Sequence, residues 1–209
     1  MTKHLRVEEL ESAEEHPEDS RGDKRRKLIL DAFHDSIIKK GYSQTTLRDV
    51  SKAAGMSASH LLYYFSGKDA ILQHYFQSVA QRIRNRIDSF RGEDPSRQID
   101  LLADLFFAGK GITNSETGFM LESFGVAVHD KQLHSEKANL DRFCKDYLEE
   151  LFSQVPRTEA RAREHAEVTY AMLIGLRTAA FFDEKLSLAD ARHLFRQGVL
   201  NQADCGSRP

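Results

Sequence analysis

The 209-residue chain has no tryptophan, two cysteines and four prolines, and each scarcity removes a class of protein. Cys144 and Cys205 stand far apart and fit neither a Cys-x-x-Cys nor a zinc-finger spacing, so no disulfide framework and no cysteine metal site is expected. So few prolines, with twelve glycines, leave long stretches without helix breakers. No apolar run approaches the roughly 18–20 residues of a membrane span. The opening MTKHLRVEELESAEEH lacks the apolar core of a secretory signal, and a cytoplasmic protein is expected. Catalytic signatures are missing too. There is no Gly-x-Ser-x-Gly, no Gly-x-x-x-x-Gly-Lys and no His-Glu-x-x-His, and Gly109-Lys110-Gly111 lacks the rest of a phosphate loop. His129, His134, His165 and His193 do not fall at metal-ligand spacing. No metal and no cofactor is implied, and an all-helical enzyme is the weakest of the functional alternatives.

What is present is charge in blocks. The net charge of −2 conceals a segment, residues 24–91, with 13 Lys and Arg against five Asp, a balance of +8, between flanks of −5 each. A basic block between acidic ones points to a polyanion partner.

Residues 1–23 are acidic and nearly free of large apolar side chains after Leu10, a composition that cannot bury enough surface to fold alone; a disordered tail is expected there. From Lys24 onwards Leu28, Ile29, Ala32, Phe33, Ile37 and Ile38 recur at helical spacing, and Gly41 stops the pattern. Thr46 with Asp49 forms a capping pair for a short second helix, which Gly55 ends; Ser57 caps a third over 58–65. Two short helices joined by a glycine turn make a helix-turn-helix. Ser66 and Asp69 then open a long fourth helix to about Phe90, followed by amphipathic stretches near 97–109, 116–129, 133–153, 158–183 and 188–202. The expectation is an all-α chain with a helix-turn-helix domain over 24–72. A long helix joins it to a helical domain over 73–203 that senses a ligand and dimerises, and 204–209 form a flexible end.

The segment Gly41-Tyr-Ser-Gln-Thr-Thr-Leu-Arg-Asp-Val-Ser-Lys-Ala-Ala-Gly-Met-Ser-Ala-Ser-His-Leu-Leu-Tyr-Tyr-Phe-Ser-Gly-Lys-Asp-Ala-Ile-Leu resembles the N-terminal signature of the tetracycline-repressor (TetR) family. Departures are Ser51 where a small Ala is usual, Ser59 where Gly is frequent and Leu62 where a phosphate-contacting Tyr is frequent. The last two helical stretches also resemble the end of that family, which forms its dimer interface. The resemblance implies a repressor that binds a palindromic duplex DNA operator as a homodimer and is released by a small molecule. It also implies phosphate contacts from Thr46 and Lys68. Arg48 is a further basic candidate, and the exposed positions of the third helix that could read base edges are Ser57, Ser59, His60 and Tyr63.

The dimer is expected through 166–182 and 188–200, where Val168, Met172, Leu173, Leu176, Phe181, Phe182, Leu188, Leu194, Phe195 and Leu200 are apolar and Ala171 and Gly175 are small. For a ligand pocket the candidates are the aromatics Phe106, Phe119 and Phe143 and three polar residues inside apolar runs, Glu122, His129 and Arg177. A DNA-binding activator or architectural protein without a ligand remains an alternative alongside the enzyme.

Overall fold

The computed structural model describes residues 21–109 and 111–205, with side chains up to residue 202. The expected acidic tail, up to Ser20, and the last four residues of the expected flexible end lie outside them. Among the described residues there are nine α-helices, one 3-10 turn and no strand, as expected: α1 (Arg21–Gln44), α2 (Leu47–Ala53), α3 (Ala58–Tyr64), α4 (Lys68–Asp88), α5 (Pro95–Phe107), α6 (Asn114–Ala127), α7 (Lys131–Ser153), the turn Glu159–Arg161, α8 (Ala162–Phe182) and α9 (Leu188–Cys205). No helix among these residues is long and apolar enough to cross a membrane.

Side-chain caps set most helix starts. Asp94, Thr113 and Asp130 each accept a backbone N–H from the residue three positions on, so α5, α6 and α7 begin two residues ahead of the apolar periodicity that marks them in the sequence. Arg21, Gly22 and Asp23, expected to belong to the disordered tail, are helical and part of α1. Gly41 interrupts α1 at φ 80, a left-handed angle that glycine adopts without a Cβ clash. α8 begins at Ala162, after a tighter turn over 159–161, rather than near 158.

One continuous hydrophobic core runs from Ile29 and Phe33 of α1 through Phe76 of α4 and Phe119 of α6 to Phe195 of α9. Each such fully buried side chain contributes about 1.5–3 kcal/mol of transfer free energy. α4 buries Ile71, Leu72, Phe76, Val79, Ala80, Ile83 and Ile87, packing on α1 near its start and on α6 and α7 beyond. α1 also packs directly on α6, so the helix-turn-helix rests on the C-terminal helices by two routes. On α8 and α9, Leu173 and Phe195 of the expected dimer face point into the chain's own core, whereas Val168, Phe181, Phe182, Leu194 and Leu200 are exposed, Phe182 by 69% and Leu200 by 55%.

Candidate nucleic-acid interface

The short α2 is held by its cap. The Asp49 backbone N–H donates to Thr46 Oγ1 at 3.2 Å, and the Thr46 N–H donates to Asp49 Oδ2 at 2.9 Å, the reciprocal capping box the sequence suggests. The Thr46 hydroxyl and the Lys40 ammonium also donate to this carboxylate. Lys40 and Thr46 together hold Asp49 well below the usual carboxylate range. Thr46 is thus first a structural residue: its hydroxyl is committed to the cap. Arg48 and Lys52 lie exposed on the same helix.

Gly55, at φ 66, turns the chain into α3. Ser57 caps it, accepting the His60 N–H at 3.1 Å. Leu61 and Phe65 are buried, which anchors one side of α3 and leaves Ser59, His60, Leu62 and Tyr63 facing outwards. Tyr63 is 82% exposed, its ring edge-on to Tyr64 at 5.2 Å, with His60 tilted against the same Tyr64 at 5.4 Å. The exposed face of α3 therefore carries hydroxyls, an imidazole and a phenol. These are groups that donate to and accept from base edges and phosphates, and all four α3 candidates named from the sequence fall on this surface or at its cap.

Lys68 opens α4 but is not a free surface cation. Its ammonium donates to the Tyr42 carbonyl at 3.0 Å and sits over the Tyr42 ring at 4.1 Å from the centroid. Tyr42 is the residue that reading the sequence did not single out, although the glycine–aromatic pair ahead of the threonine marks the spot. Its backbone N–H donates to Glu122 of α6 at 2.9 Å, its hydroxyl donates to Asp69 of α4, and its ring meets Phe33 edge-on. Burial, followed by the Asp69 bond, pushes its hydroxyl pKa up. One residue, just past the Gly41 interruption of α1, thus ties α1 to α4 and α6.

The expected pocket residues separate. Glu122 is exposed and engaged with Tyr42. Phe119 packs on His34 of α1 and Tyr75 of α4, with ring centroids 5.4 and 4.2 Å away. His34 pairs through Nδ1 with the Tyr75 hydroxyl at 2.8 Å and through Nε2 with Ser115 at 2.6 Å; burial lowers its pKa. Phe106 lies in the core beside Phe107, Phe143 is half-buried and His129 is exposed. Arg177 is buried, bonded to Thr117 and to the Ile112 carbonyl. A cleft of about 540 Å³ opens between Arg26, Tyr64, His74 and Gln132, and a hollow of about 30 Å³ lies beside Gln98 and Tyr147. None of the six pocket candidates lines either. Among the described residues, no group of three or more His, Cys, Asp or Glu is placed to hold a metal ion.

Comparison with known proteins covers both halves. Residues 29–75 match the model for "Bacterial regulatory proteins, tetR family". Residues 95–203, more than half of the chain, match that for "BetI-type transcriptional repressor, C-terminal". Among curated relatives, the HTH-type transcriptional regulator BetI of Stenotrophomonas maltophilia is 24% identical over 156 residues, covering 73% of this chain and 79% of its own. The HTH-type transcriptional regulator PksA of Bacillus subtilis is 27% identical over 172 residues, covering 77% and 80%. Among solved structures, a transcriptional regulator from Rhodococcus sp. Rha1 superposes with a TM-score of 0.76 at 18% identity, over 88% of this chain and 99% of its own. A regulator from Saccharomonospora viridis, solved in complex with choline, superposes with a TM-score of 0.73 at 17% identity, over 85% and 96%. At such identities the structural likeness establishes the fold.

Proposed function

The chain belongs to the TetR family of bacterial transcriptional regulators, and from that premise we propose that it is a dimeric, cytoplasmic repressor that reads an inverted-repeat operator and is released by a small molecule. Members of the family are transcriptional regulators, not enzymes, which removes the catalytic alternative. The observation that carries the reading is the α3 surface: a short helix anchored by Leu61 and Phe65 that turns Ser59, His60 and Tyr63 outwards.

In this reading α3 enters the major groove. Ser57, Ser59, His60 and Tyr63 meet base edges and neighbouring phosphates, and Arg48 meets the backbone. Thr46 and Lys68 act at the first turns of α2 and α4, where backbone N–H groups favour a phosphate. Lys68 keeps N–H donors beyond the one it gives to Tyr42. Leu62 takes the place of the family's frequent tyrosine, and Tyr63 supplies the aromatic one position on.

A single α3 spans too little sequence for specificity, so two copies must be paired about 34 Å apart or at a multiple of that spacing. The exposed Val168, Phe182, Leu194 and Leu200 of α8 and α9 supply a self-complementary apolar face for that pairing. Release follows if an effector favours a geometry of the C-terminal helices that the operator spacing disfavours. α4, which starts at Lys68, and the Tyr42 junction, which Glu122 of α6 grips, carry the shift to α2 and α3. That the Saccharomonospora viridis neighbour was solved in complex with choline supports a small-molecule effector.

Selection of bound duplexes from a random pool tests this. An enriched inverted repeat is expected; enrichment of an asymmetric site, or of none at about 0.15 M salt, contradicts it.

A further inference from the structure

Among the C-terminal helices, one buried cation is left short of partners. Arg177 of α8 is only 4% exposed. Its Nε–H donates to Thr117 Oγ1 at 2.9 Å and its Nη2 donates to the Ile112 carbonyl at 3.0 Å. Both acceptors are neutral, and the third nitrogen, Nη1, is buried with no hydrogen-bond partner. A guanidinium stays protonated under all ordinary conditions, so a full positive charge is enclosed with both N–H donors of Nη1 idle, an arrangement that proteins rarely leave uncompensated.

The carboxylate whose charge acts on Arg177 is already in use. Glu116 of α6 gives one oxygen to Arg82 of α4 and the other to the cap at Thr113, and it acts on Arg177 through its charge without a bond between them. Arg82 thus takes the ion pair, and Arg177 is left without one. Arg82 is 52% exposed at its side chain and Glu116 only 11%, so the ion pair leads from the surface inward.

We infer that Arg177, with Arg82 beside Glu116, is the receptor for the anionic group of the effector, and that this group is a carboxylate. This deepens the effector reading above and rests on it. A carboxylate is planar and accepts two N–H bonds side by side, the geometry a guanidinium edge presents. It balances the excess positive charge, whereas a quaternary ammonium would add to it. Once bound, it competes with Glu116 for Arg82 and so loosens the tie between α6 and α4, the helix that begins at Lys68.

The test uses the full-length protein at fixed ionic strength with three sets of probes: sodium carboxylates from acetate to decanoate with benzoate, the matching alcohols, and choline chloride. Thermal stability reports binding and release of the selected operator reports signalling. At least one carboxylate should raise Tm and release operator, its matched alcohol should do neither at ten times the concentration, and Arg177→Gln should weaken its binding at least tenfold while Arg177→Lys recovers part of the loss. If Arg177→Gln does not fold, the carboxylate–alcohol contrast in the wild-type protein decides alone. Operator release by choline or an alcohol with no response to any carboxylate overturns the inference and leaves the effector reading standing. A carboxylate that binds through Arg177 without releasing operator supports the site and breaks the effector reading. No binding by any carboxylate overturns the inference.

Discussion

The two halves of this chain treat polar and apolar side chains in opposite ways. Over α2 and α3, apolar residues such as Val50, Leu61 and Phe65 turn inward, while hydroxyls, His60, Tyr63 and Arg48 turn outward. In the C-terminal helices, polar Gln98, Ser123, Thr169 and Arg177 are buried, and apolar Val168, Phe182, Leu194 and Leu200 are left in solvent. The first pattern is that of short helices with a largely polar face to offer, Leu62 excepted. The second is that of a domain with apolar side chains left on its surface and polar ones enclosed within, the features on which the proposed pairing and effector response rest. The lesson is that the first half carries its function on local sequence, whereas the second carries it on contacts between distant residues.

The largest effect should come from breaking the apolar face. Leu194→Asp places a charge where two copies would meet, and desolvating it unpaired is costly. Operator affinity should fall by about a hundredfold or more, with sedimentation showing a monomer that is still helical; a dimer of unchanged affinity would erase the contrast between the halves. Next is Tyr63→Ala on α3. Because Tyr63 is so exposed, the Tm of the free protein should barely move, while loss of a readout contact should cost about 1–3 kcal/mol in operator binding, roughly 5- to 150-fold. A fall in Tm matching the fall in affinity would make Tyr63 a structural residue.

A smaller effect is expected where the halves touch. Removing the Glu122 carboxylate from the Tyr42 N–H should speed hydrogen exchange of that amide about tenfold, and Glu122→Gln, which keeps an acceptor oxygen, should largely restore it. Unchanged exchange in Glu122→Ala would remove this junction from the coupling route. The smallest concerns pH. Burial lowers the pKa of His34 from the ordinary 6.5. Above about pH 6.5 the residue is neutral both folded and unfolded and adds no pH dependence. As pH falls below 6.5 the unfolded chain takes up a proton that the folded one resists, so stability declines towards the lower folded pKa. His34→Gln should flatten that acid-side slope in denaturant titrations between pH 5 and 7; the same slope in both proteins would exclude His34 as its source.

The legible part of the structure follows the same division. The helix-turn-helix, its Thr46–Asp49 capping box and the Gly55 turn could be read directly, because caps and turns are set by residues three or four positions apart. The helices could be read from their 3.6-residue period, with starts missed by two residues where the cap precedes the first apolar position. The periodicity shows that Leu173 and Phe195 are apolar, but not whether they face their own core or a partner; that depends on which side of α8 meets α7. Glu122 and Arg177 stand out equally as charges within apolar runs. One proves to reach Tyr42, 80 residues away, and the other Thr117, 60 residues away. Tyr42 itself could not be recognised as a junction, since its partners lie on three separate helices.

The account stands on two protomers presenting α3 to one duplex through an α8–α9 face. Native mass spectrometry of the protein on its selected duplex measures this directly. The mass should correspond to protomers in twos on the wild-type complex, and no such species should form with Leu194→Asp at the same concentration. A single protomer holding the full site with undiminished affinity would contradict it.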